Sequence, residues 1–169
     1  MKKTLLALLP FTLLLTSLTY AKNDRTLYSI GYAYIKVKDL PTANGVNLRV
    51  QTSPHTNKKI SMQFSGTLSH QPLSNNGRLR YVSLSLGPAY ALTPFIDLYA
   101  TVGASGISYH TEENANKDNA SKSLSWGTGS TFTIAKNIAL TVSYEGSYFK
   151  MEGKSYPSYA LIGNIGYRF

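Results

Sequence analysis

Residues 59–69 read KISMQFSGTLS, and apolar and small polar side chains alternate along them without a break. One parity holds Ile60, Met62, Phe64 and Leu68, and the other holds Ser61, Gln63, Ser65, Thr67 and Ser69. A period of two residues is typical of a β-strand, because successive side chains of a strand point to opposite faces. This stretch therefore predicts a strand with one apolar face and one polar face.

The same alternation returns along the whole chain, and no helical period competes with it. The predicted strands lie near residues 26–36, 45–52, 59–70, 79–91, 95–109, 122–134, 138–149 and 158–169. A soluble β-sandwich would show the same alternation with its apolar face inward. Several segments, however, exceed the ~5–6 residues of a typical soluble strand and match the ~9–11 that a tilted strand needs to cross a bilayer. Strand length therefore favours a membrane barrel.

Charged and aromatic residues separate onto the two parities. Arg49, Asp97, Glu145 and Arg168 fall at or near mid-strand on the polar parity, which suits the lumen of a membrane barrel and would be costly in a sandwich core. Aromatic residues on the apolar parity gather toward segment ends, where they can lie at the headgroup level: Tyr28, Tyr34, Tyr90, Tyr144, Tyr148, Tyr159, Tyr167 and Phe169. The pattern predicts an all-β fold, an eight-stranded antiparallel up-and-down transmembrane β-barrel with a filled polar interior.

The first residues predict a secretory signal peptide. Lys2 and Lys3 precede an apolar run from residue 5 to residue 18, and Thr19-Tyr20-Ala21 has small residues where a signal peptidase cleaves. Pro10 interrupts the run, which falls short of the ~20 residues that a spanning helix needs. We therefore expect residues 1–21 to be a signal peptide and residues 22–169 to form the barrel. The chain has no cysteine, so no disulfide framework is possible.

The predicted connections alternate between short and long, which indicates the orientation of the barrel. Outer-membrane barrels keep short turns on the periplasmic side and longer loops outside. The predicted periplasmic turns are residues 52–58, 92–94 and 135–137, and the predicted outer loops are residues 37–44, 71–78, 110–121 and 150–157.

Short motifs, taken in order, give the chain a family resemblance. They are Gly31-Tyr32-Ala33, Gly45-Val46-Asn47-Leu48-Arg49, Leu86-Gly87-Pro88-Ala89-Tyr90, Asp97-Leu98-Tyr99 with Val102-Gly103, Val142-Ser143-Tyr144-Glu145 and the terminal Gly166-Tyr167-Arg168-Phe169. Over the whole mature length the chain resembles the Ail/OmpX (Ail/Lom) family of eight-stranded outer-membrane barrels. Thr128 and Ser130 depart from the family, because they fall on the lipid parity where its members are more apolar.

The resemblance implies a closed barrel without an open pore in the outer membrane of a Gram-negative bacterium. It also implies a final strand that the barrel assembly machinery recognises, with Leu161, Ile165, Tyr167 and Phe169 on its outward parity. Some members act in adhesion to host cells, invasion and resistance to complement, while others have no settled role. Membership alone therefore leaves the activity open.

Two groups of residues are candidate sites. The interior of an eight-stranded barrel is just wide enough for its side chains, so we expect a polar network of Arg49, Gln63, Asp97, Tyr99, Glu145 and Arg168. The chain carries 17 basic and 8 acidic residues, and many cations fall near the predicted outer rim: Lys36, Lys38, Arg78, Arg80, Lys122, Lys150 and Lys154. These cations can pair with lipopolysaccharide phosphates or anionic host glycans, although a merely solvated rim explains them equally well.

The leading functional hypothesis is a non-enzymatic barrel whose loops serve adhesion and invasion or complement resistance. Its expected partners are outer-membrane lipid and lipopolysaccharide, the assembly machinery, and host-surface or complement-regulatory proteins, with the barrel itself a monomer. One alternative is a structural role in envelope integrity without a specific ligand. Another is a lipid hydrolase at the rim that uses His70 or His110, while His55 lies in a predicted turn. No spacing predicts a metal site, a cofactor site, a catalytic group or a nucleic-acid module.

Overall fold

A computed structural model of the chain describes residues 26–38, 40–52, 59–72, 78–110, 119–151 and 154–169. The predicted signal peptide and the predicted turn that contains His55 lie outside these residues. The strands are β1 Thr26–Val37, β2 Ala43–Thr52, β3 Ile60–Pro72, β4 Arg78–Thr93, β5 Ile96–His110, β6 Asn119–Thr133, β7 Ile138–Met151 and β8 Lys154–Arg168. Within the described ranges, no helix has the length and apolarity needed to cross a membrane.

The strands form a closed barrel in which each pairs antiparallel with the next. β1 also pairs with β8, from Leu27 opposite Arg168 to Val37 opposite Ser158, and this pairing closes the sheet. The predicted fold class, an eight-stranded antiparallel up-and-down barrel, is confirmed. Closure leaves the sheet without a free edge, so the backbone hydrogen bonds of each strand are made to its two neighbours.

The two faces of the wall follow the predicted parity. On β4, Leu84 and Leu86 are exposed on the outer face, whereas Ser83 and Ser85 are buried inside. The outward polar residue Thr128 donates its hydroxyl hydrogen to the carbonyl oxygen of Tyr99 at 2.9 Å. A hydroxyl with an internal partner costs little to place against lipid, which accounts for this departure from the family pattern.

The two ends of the barrel carry different connections. We call the end with both barrel termini, near Thr26 and Phe169, the turn end, and the opposite end the loop end. The strands run further at the loop end than the sequence predicts, since β6 begins at Asn119, β7 continues to Met151 and β8 begins at Lys154. The predicted loops 110–121 and 150–157 were therefore too long. Lys150 and Ser155, both placed in a loop by the sequence prediction, lie opposite each other in the paired strands β7 and β8.

One strand boundary and one strand pairing are irregular. At the turn end, β4 continues to Thr93, and a register irregularity between Ala91 and Thr93 lets the chain turn within two residues into β5. At the loop end, the β6–β7 ladder stops at Ser125 opposite Ser147 although both strands continue. There the hydroxyl of Ser123 accepts from the amide of Tyr148 at 3.1 Å and lies 2.6 Å from its carbonyl. A side chain thus replaces the backbone ladder.

The interior is polar over most of its length, but its loop end is apolar. The buried side chains there form one cluster: Ala33, Ile35, Val37, Ala43, Leu79, Tyr81, Ile107, Phe149, Ala160 and Ile162. Phe149 is fully buried, and its ring meets that of Tyr81 edge to face at 6.2 Å. The prediction of a filled polar interior therefore needs one addition, an apolar plug at the loop end. Apolar packing stabilises this end without requiring hydrogen-bond partners.

The lipid-facing assignment of the outer wall predicts how the barrel tolerates charge at different depths. Leu86 lies at mid-strand and Leu92 near the turn end, and both are more than half exposed. Leu86→Arg should lower the free energy of unfolding by about 2–4 kcal/mol, and Leu92→Arg by roughly 0–1 kcal/mol, because the cost of a charge falls toward the interface. Urea titration in phospholipid vesicles measures both. Equal losses would contradict the assignment.

Candidate functional site

Arg49 lies at the centre of the polar lumen. It is an inward residue of β2 and only 3% exposed. Its guanidinium donates to the hydroxyl of Tyr99 on β5 and, at 2.9 Å, to the hydroxyl of Ser143 on β7. The guanidinium carbon also lies 4.7 Å from the centre of the Tyr99 ring. These contacts pair a buried cation with two hydroxyls and link three strands across the lumen.

Glu145 is the buried acidic residue of β7, and its partners include the hydroxyl groups of Tyr81 and Ser83 on β4. The hydroxyl of Tyr81 on β4 donates to Oε1 of Glu145 at 2.9 Å. Tyr81 belongs to the apolar plug, so its bond to Glu145 joins the plug to the polar part of the lumen. Arg49 and Glu145 thus have separate hydroxyl partners, and the positive charge of Arg49 also interacts with the Glu145 carboxyl group. Hydroxyl groups serve both side chains, because they accept hydrogen bonds from Arg49 and donate them to Glu145.

The other predicted lumen residues lie apart from this pair. Asp97, near the turn end, accepts a hydrogen bond from the side-chain amide of Gln51 at 2.8 Å, and that amide also bonds Ser61 at 2.9 Å. Gln63 is buried, and neither atom of its amide has a hydrogen-bond partner in the described part of the chain. Arg168 is half-buried opposite Leu27. The six predicted residues therefore occupy several levels of the lumen.

The sequence prediction omitted a chain of side-chain amide hydrogen bonds that links β8, β2 and β3 inside the lumen. Nδ2 of Asn164 on β8 donates to Oδ1 of Asn47 on β2 at 2.6 Å. Nδ2 of Asn47 in turn donates toward the hydroxyls of Ser65 at 2.8 Å and Thr67 at 2.9 Å on β3. Both asparagines fall on the inward parity of their strands, and this was the signal available in the sequence. These hydrogen bonds tie β8, β2 and β3 together from inside.

The loop end carries the predicted cations on its outer surface. Six of them share the outward parity and lie on β1 and directly after it, on β4, on β6 and on β7: Lys36, Lys38, Arg78, Arg80, Lys122 and Lys150. We call these six the rim collar. All are exposed except Lys36, which is half-buried and lies 3.4 Å from the carbonyl of Leu40. The side chain of Lys154 lies outside the described residues.

The histidines give no enzymatic arrangement among the described residues. His70 is exposed on the outer face of β3, whereas Glu145 and Ser143 face the lumen, so the wall of the barrel separates them. His55 and the side chain of His110 lie outside the described part. In the ranges that the structure describes, no three acidic or histidine side chains lie close enough to hold a metal ion.

The final strand presents its predicted assembly residues outward. Leu161, Ile165, Tyr167 and Phe169 are all exposed on the lipid face. The Phe169 ring meets the Tyr167 ring at 4.9 Å and the Tyr28 ring at 5.7 Å, in both cases edge to face. The three rings form an aromatic group at the turn end, where the girdle residues of a barrel lie at the headgroup level.

Comparison with known proteins matches the barrel to a family and to relatives of full length. The family described as outer membrane protein beta-barrel domain matches residues 6–169. The virulence membrane protein PagC of Salmonella typhimurium is 28% identical over the whole of both chains. The attachment invasion locus protein of Yersinia enterocolitica is also 28% identical over the whole of both chains.

A solved structure gives the same fold. The structure of Ail, the attachment invasion locus protein of Yersinia pestis, in complex with the heparin analogue sucrose octasulfate has a TM-score of 0.72 and 24% identity to this chain. The likeness covers 87% of this chain and 99% of that one. At this identity the similarity establishes the fold.

The hydrogen bond between Tyr81 and Glu145 predicts a stability difference. Tyr81→Phe keeps the ring against Phe149 but removes one of the hydroxyl donors to the buried Glu145 carboxyl group, so the free energy of unfolding should fall by about 1–3 kcal/mol. Urea titration followed by the fluorescence of the single tryptophan measures this change. The matched control is Ser125→Ala, since the buried Ser125 hydroxyl has no partner in the described residues and its loss should stay within ~0.5 kcal/mol. Similar losses in the two variants would refute a specific role for the bond.

Proposed function

The chain belongs to the family of outer membrane protein β-barrel domains, and on that basis we propose that it is a non-enzymatic surface protein whose loop end attaches the bacterium to host surfaces. The barrel is the scaffold, held in the outer membrane by its apolar outer wall. The segments of the loop end meet the outside. Resistance to complement is a second activity that the same exposed end would serve.

The rim collar is the observation that carries this proposal. Its cations lie on one end of the barrel, whereas the two acidic residues among the described ones, Asp97 and Glu145, line the lumen. The remaining acidic residues lie outside the described part, and five of them belong by sequence to the predicted outer loops: Asp39, Glu112, Glu113, Asp118 and Glu152. The cations of this end therefore exceed its acidic residues only moderately. A ring of cations on a low-dielectric wall attracts polyanions and forms charge-assisted hydrogen bonds with phosphate or sulfate groups.

The relatives support the attachment hypothesis through their names. One is an attachment invasion locus protein, and the solved structure of another such protein contains a heparin analogue, which is a polysulfated sugar. A polysulfated host glycan has the charge that would complement the rim collar of this chain. We therefore propose anionic host glycans as the outer ligand.

The outward direction of the collar supports a second ligand and the alternative function. Cationic side chains that point away from the barrel axis reach the headgroups of the surrounding lipid. We therefore propose that they bind the phosphates of neighbouring lipopolysaccharide molecules. A protein that only bound lipopolysaccharide would serve envelope integrity, which is the alternative to adhesion. Loss of host-cell binding separates the two, because envelope integrity does not require it.

Two further proposals concern the barrel itself. We propose that residues 1–21 are a signal peptide and that β8 is recognised by the barrel assembly machinery through Leu161, Ile165, Tyr167 and Phe169. We also propose that the barrel works as a monomer, because closure already pairs every strand.

Adhesion through the rim collar predicts that its cations are dispensable for assembly but required for binding. Lys122→Gln with Lys150→Gln should weaken binding to cultured epithelial cells severalfold, because two exposed cations of the collar are lost, while heat-modifiable migration on a gel stays unchanged. The matched control, Lys59→Gln with Lys136→Gln, removes the same charge at the turn end and should keep full binding. Undiminished binding after loss of Lys122 and Lys150 would argue for the envelope role.

The assembly proposal predicts a defect that differs from a loss of stability. Deletion of Phe169 removes the terminal ring of the outward aromatic group, so most of the protein should fail to reach the folded, heat-modifiable form in the outer membrane. Arg168→Ala, which changes the neighbouring half-buried residue, should reach the membrane normally. Fractionation of cells that express each variant measures this, and normal insertion of the Phe169 deletion would disprove the assembly role.

A further inference from the structure

One side of the outer wall carries a cleft of about 790 Å³ at the loop end. Aromatic and basic side chains of β6, β7, β8 and β1 line it, and Leu40 and Pro41 of the β1–β2 connection contribute to its lining. The volume falls within the usual range for a small-molecule site. We call it the loop-end cleft.

The floor of the cleft is a row of outward residues on adjacent strands. Lys36 of β1 lies opposite Tyr159 of β8, Tyr159 lies opposite Gly146 of β7, and Gly146 lies opposite Trp126 of β6. Three of these positions carry long side chains, and the glycine carries none. The glycine therefore leaves a space between the side chains of Tyr159 and Trp126 in this row.

The Trp126 indole lies over this space. A Cβ atom placed on Gly146 would come within 2.8 Å of Cε2 and Cζ2 of the indole, so this position accepts no side chain without moving Trp126. The Trp126 ring also lies 5.6 Å from the Tyr144 ring, which is stacked on Tyr159 at 6.2 Å. The result is a continuous aromatic platform that remains partly exposed.

Two lysines stand along the β1 side of this platform. Lys36 lies in the same row as the glycine, and Lys38 follows one row toward the loop end, where its amide bonds the carbonyl of Pro157 at 3.0 Å. The platform therefore offers aromatic faces and two ammonium groups in one cleft. Aromatic faces stack on the apolar face of a sugar ring, and ammonium groups pair with phosphate.

We infer that the loop-end cleft binds the phosphorylated glucosamine headgroup of the outer-leaflet glycolipid, with the sugar on Trp126 and Tyr159 and a phosphate on Lys36 and Lys38. This inference rests on the lipopolysaccharide part of the proposed function and assigns it one location. The cleft opens sideways from the wall, where the headgroups of the surrounding leaflet lie. A resident glycolipid therefore fits its position better than a soluble host glycan.

Trp126 is the single tryptophan of the chain, so its fluorescence reports directly on the cleft. The purified barrel in detergent micelles is titrated with diphosphoryl lipid A, with phosphatidylglycerol or with a heparin oligosaccharide. Lipid A should change the tryptophan emission in a saturable manner, and the other two probes should not. No saturable response to lipid A, or an equal response to either of the other probes, would overturn the inference.

Matched charge variants separate the cleft from the rim collar as a whole. Lys36→Gln with Lys38→Gln should raise the lipid A concentration at half-saturation about 30-fold, since each cation near an anionic headgroup contributes roughly a factor of five. Arg78→Gln with Arg80→Gln removes the same charge from β4, outside the cleft, and should change it less than about twofold. Equal effects of the two pairs would overturn the cleft but leave the collar and adhesion standing.

Two glycines at outward positions of neighbouring strands, four residues apart in the pairing, test the platform without changing charge. Gly146→Ala should displace the indole and weaken lipid A binding about fivefold to tenfold. Gly163→Ala on β8 is the control, because a Cβ there has no atom within 4 Å. Heat-modifiable migration verifies that every variant is folded. Unchanged lipid A binding by a folded Gly146→Ala protein would disprove the platform.

Discussion

In a bilayer, every backbone amide and carbonyl of a spanning segment must find its partner within the protein, because lipid offers none. A closed antiparallel barrel meets this requirement for all its strands at once, and the pairing of β1 with β8 is the contact that makes closure complete. The alternation of side chains then has fixed consequences. Everything on one parity meets lipid, and everything on the other must fit into a narrow lumen.

The lumen is filled in two ways along its length, by hydrogen-bonded polar side chains and by apolar packing. In its polar part, Arg49 bonds to the hydroxyls of Tyr99 and Ser143 on other strands, and a pair of asparagines links β8 to β2. Toward the loop end, Phe149 and its apolar neighbours fill the space by packing alone. Tyr81 belongs to both parts, because its ring contacts Phe149 and its hydroxyl bonds Glu145. These contacts hold the strands together from inside, and the proposed ligand binding takes place on the outer surface.

The loop end combines three features that a soluble sheet would not need. Its strands continue past the predicted boundaries, outward cations lie on its wall, and a glycine leaves room for the Trp126 indole in the floor of the cleft. Each follows from the position of this end at the boundary between lipid, headgroup and water. Snorkelling cations and aromatic rings are stable there, whereas the middle of the wall is largely apolar and holds the Thr128 hydroxyl through an internal partner.

The amino-acid sequence by itself determined the strands, their faces and the compartment, because a period of two, strand length and terminal aromatic rings are local properties that can be read along one segment. It also placed Arg49, Glu145 and the rim cations on the correct side of the wall. Their partners were decided only by the tertiary structure. Tyr81 and Glu145 are 64 residues apart, and Arg49 and Ser143 are 94 apart, so their meeting depends on the stagger of strands around the closed barrel. The same stagger aligned Lys36, Tyr159, Gly146 and Trp126 in one row, which no single strand contains.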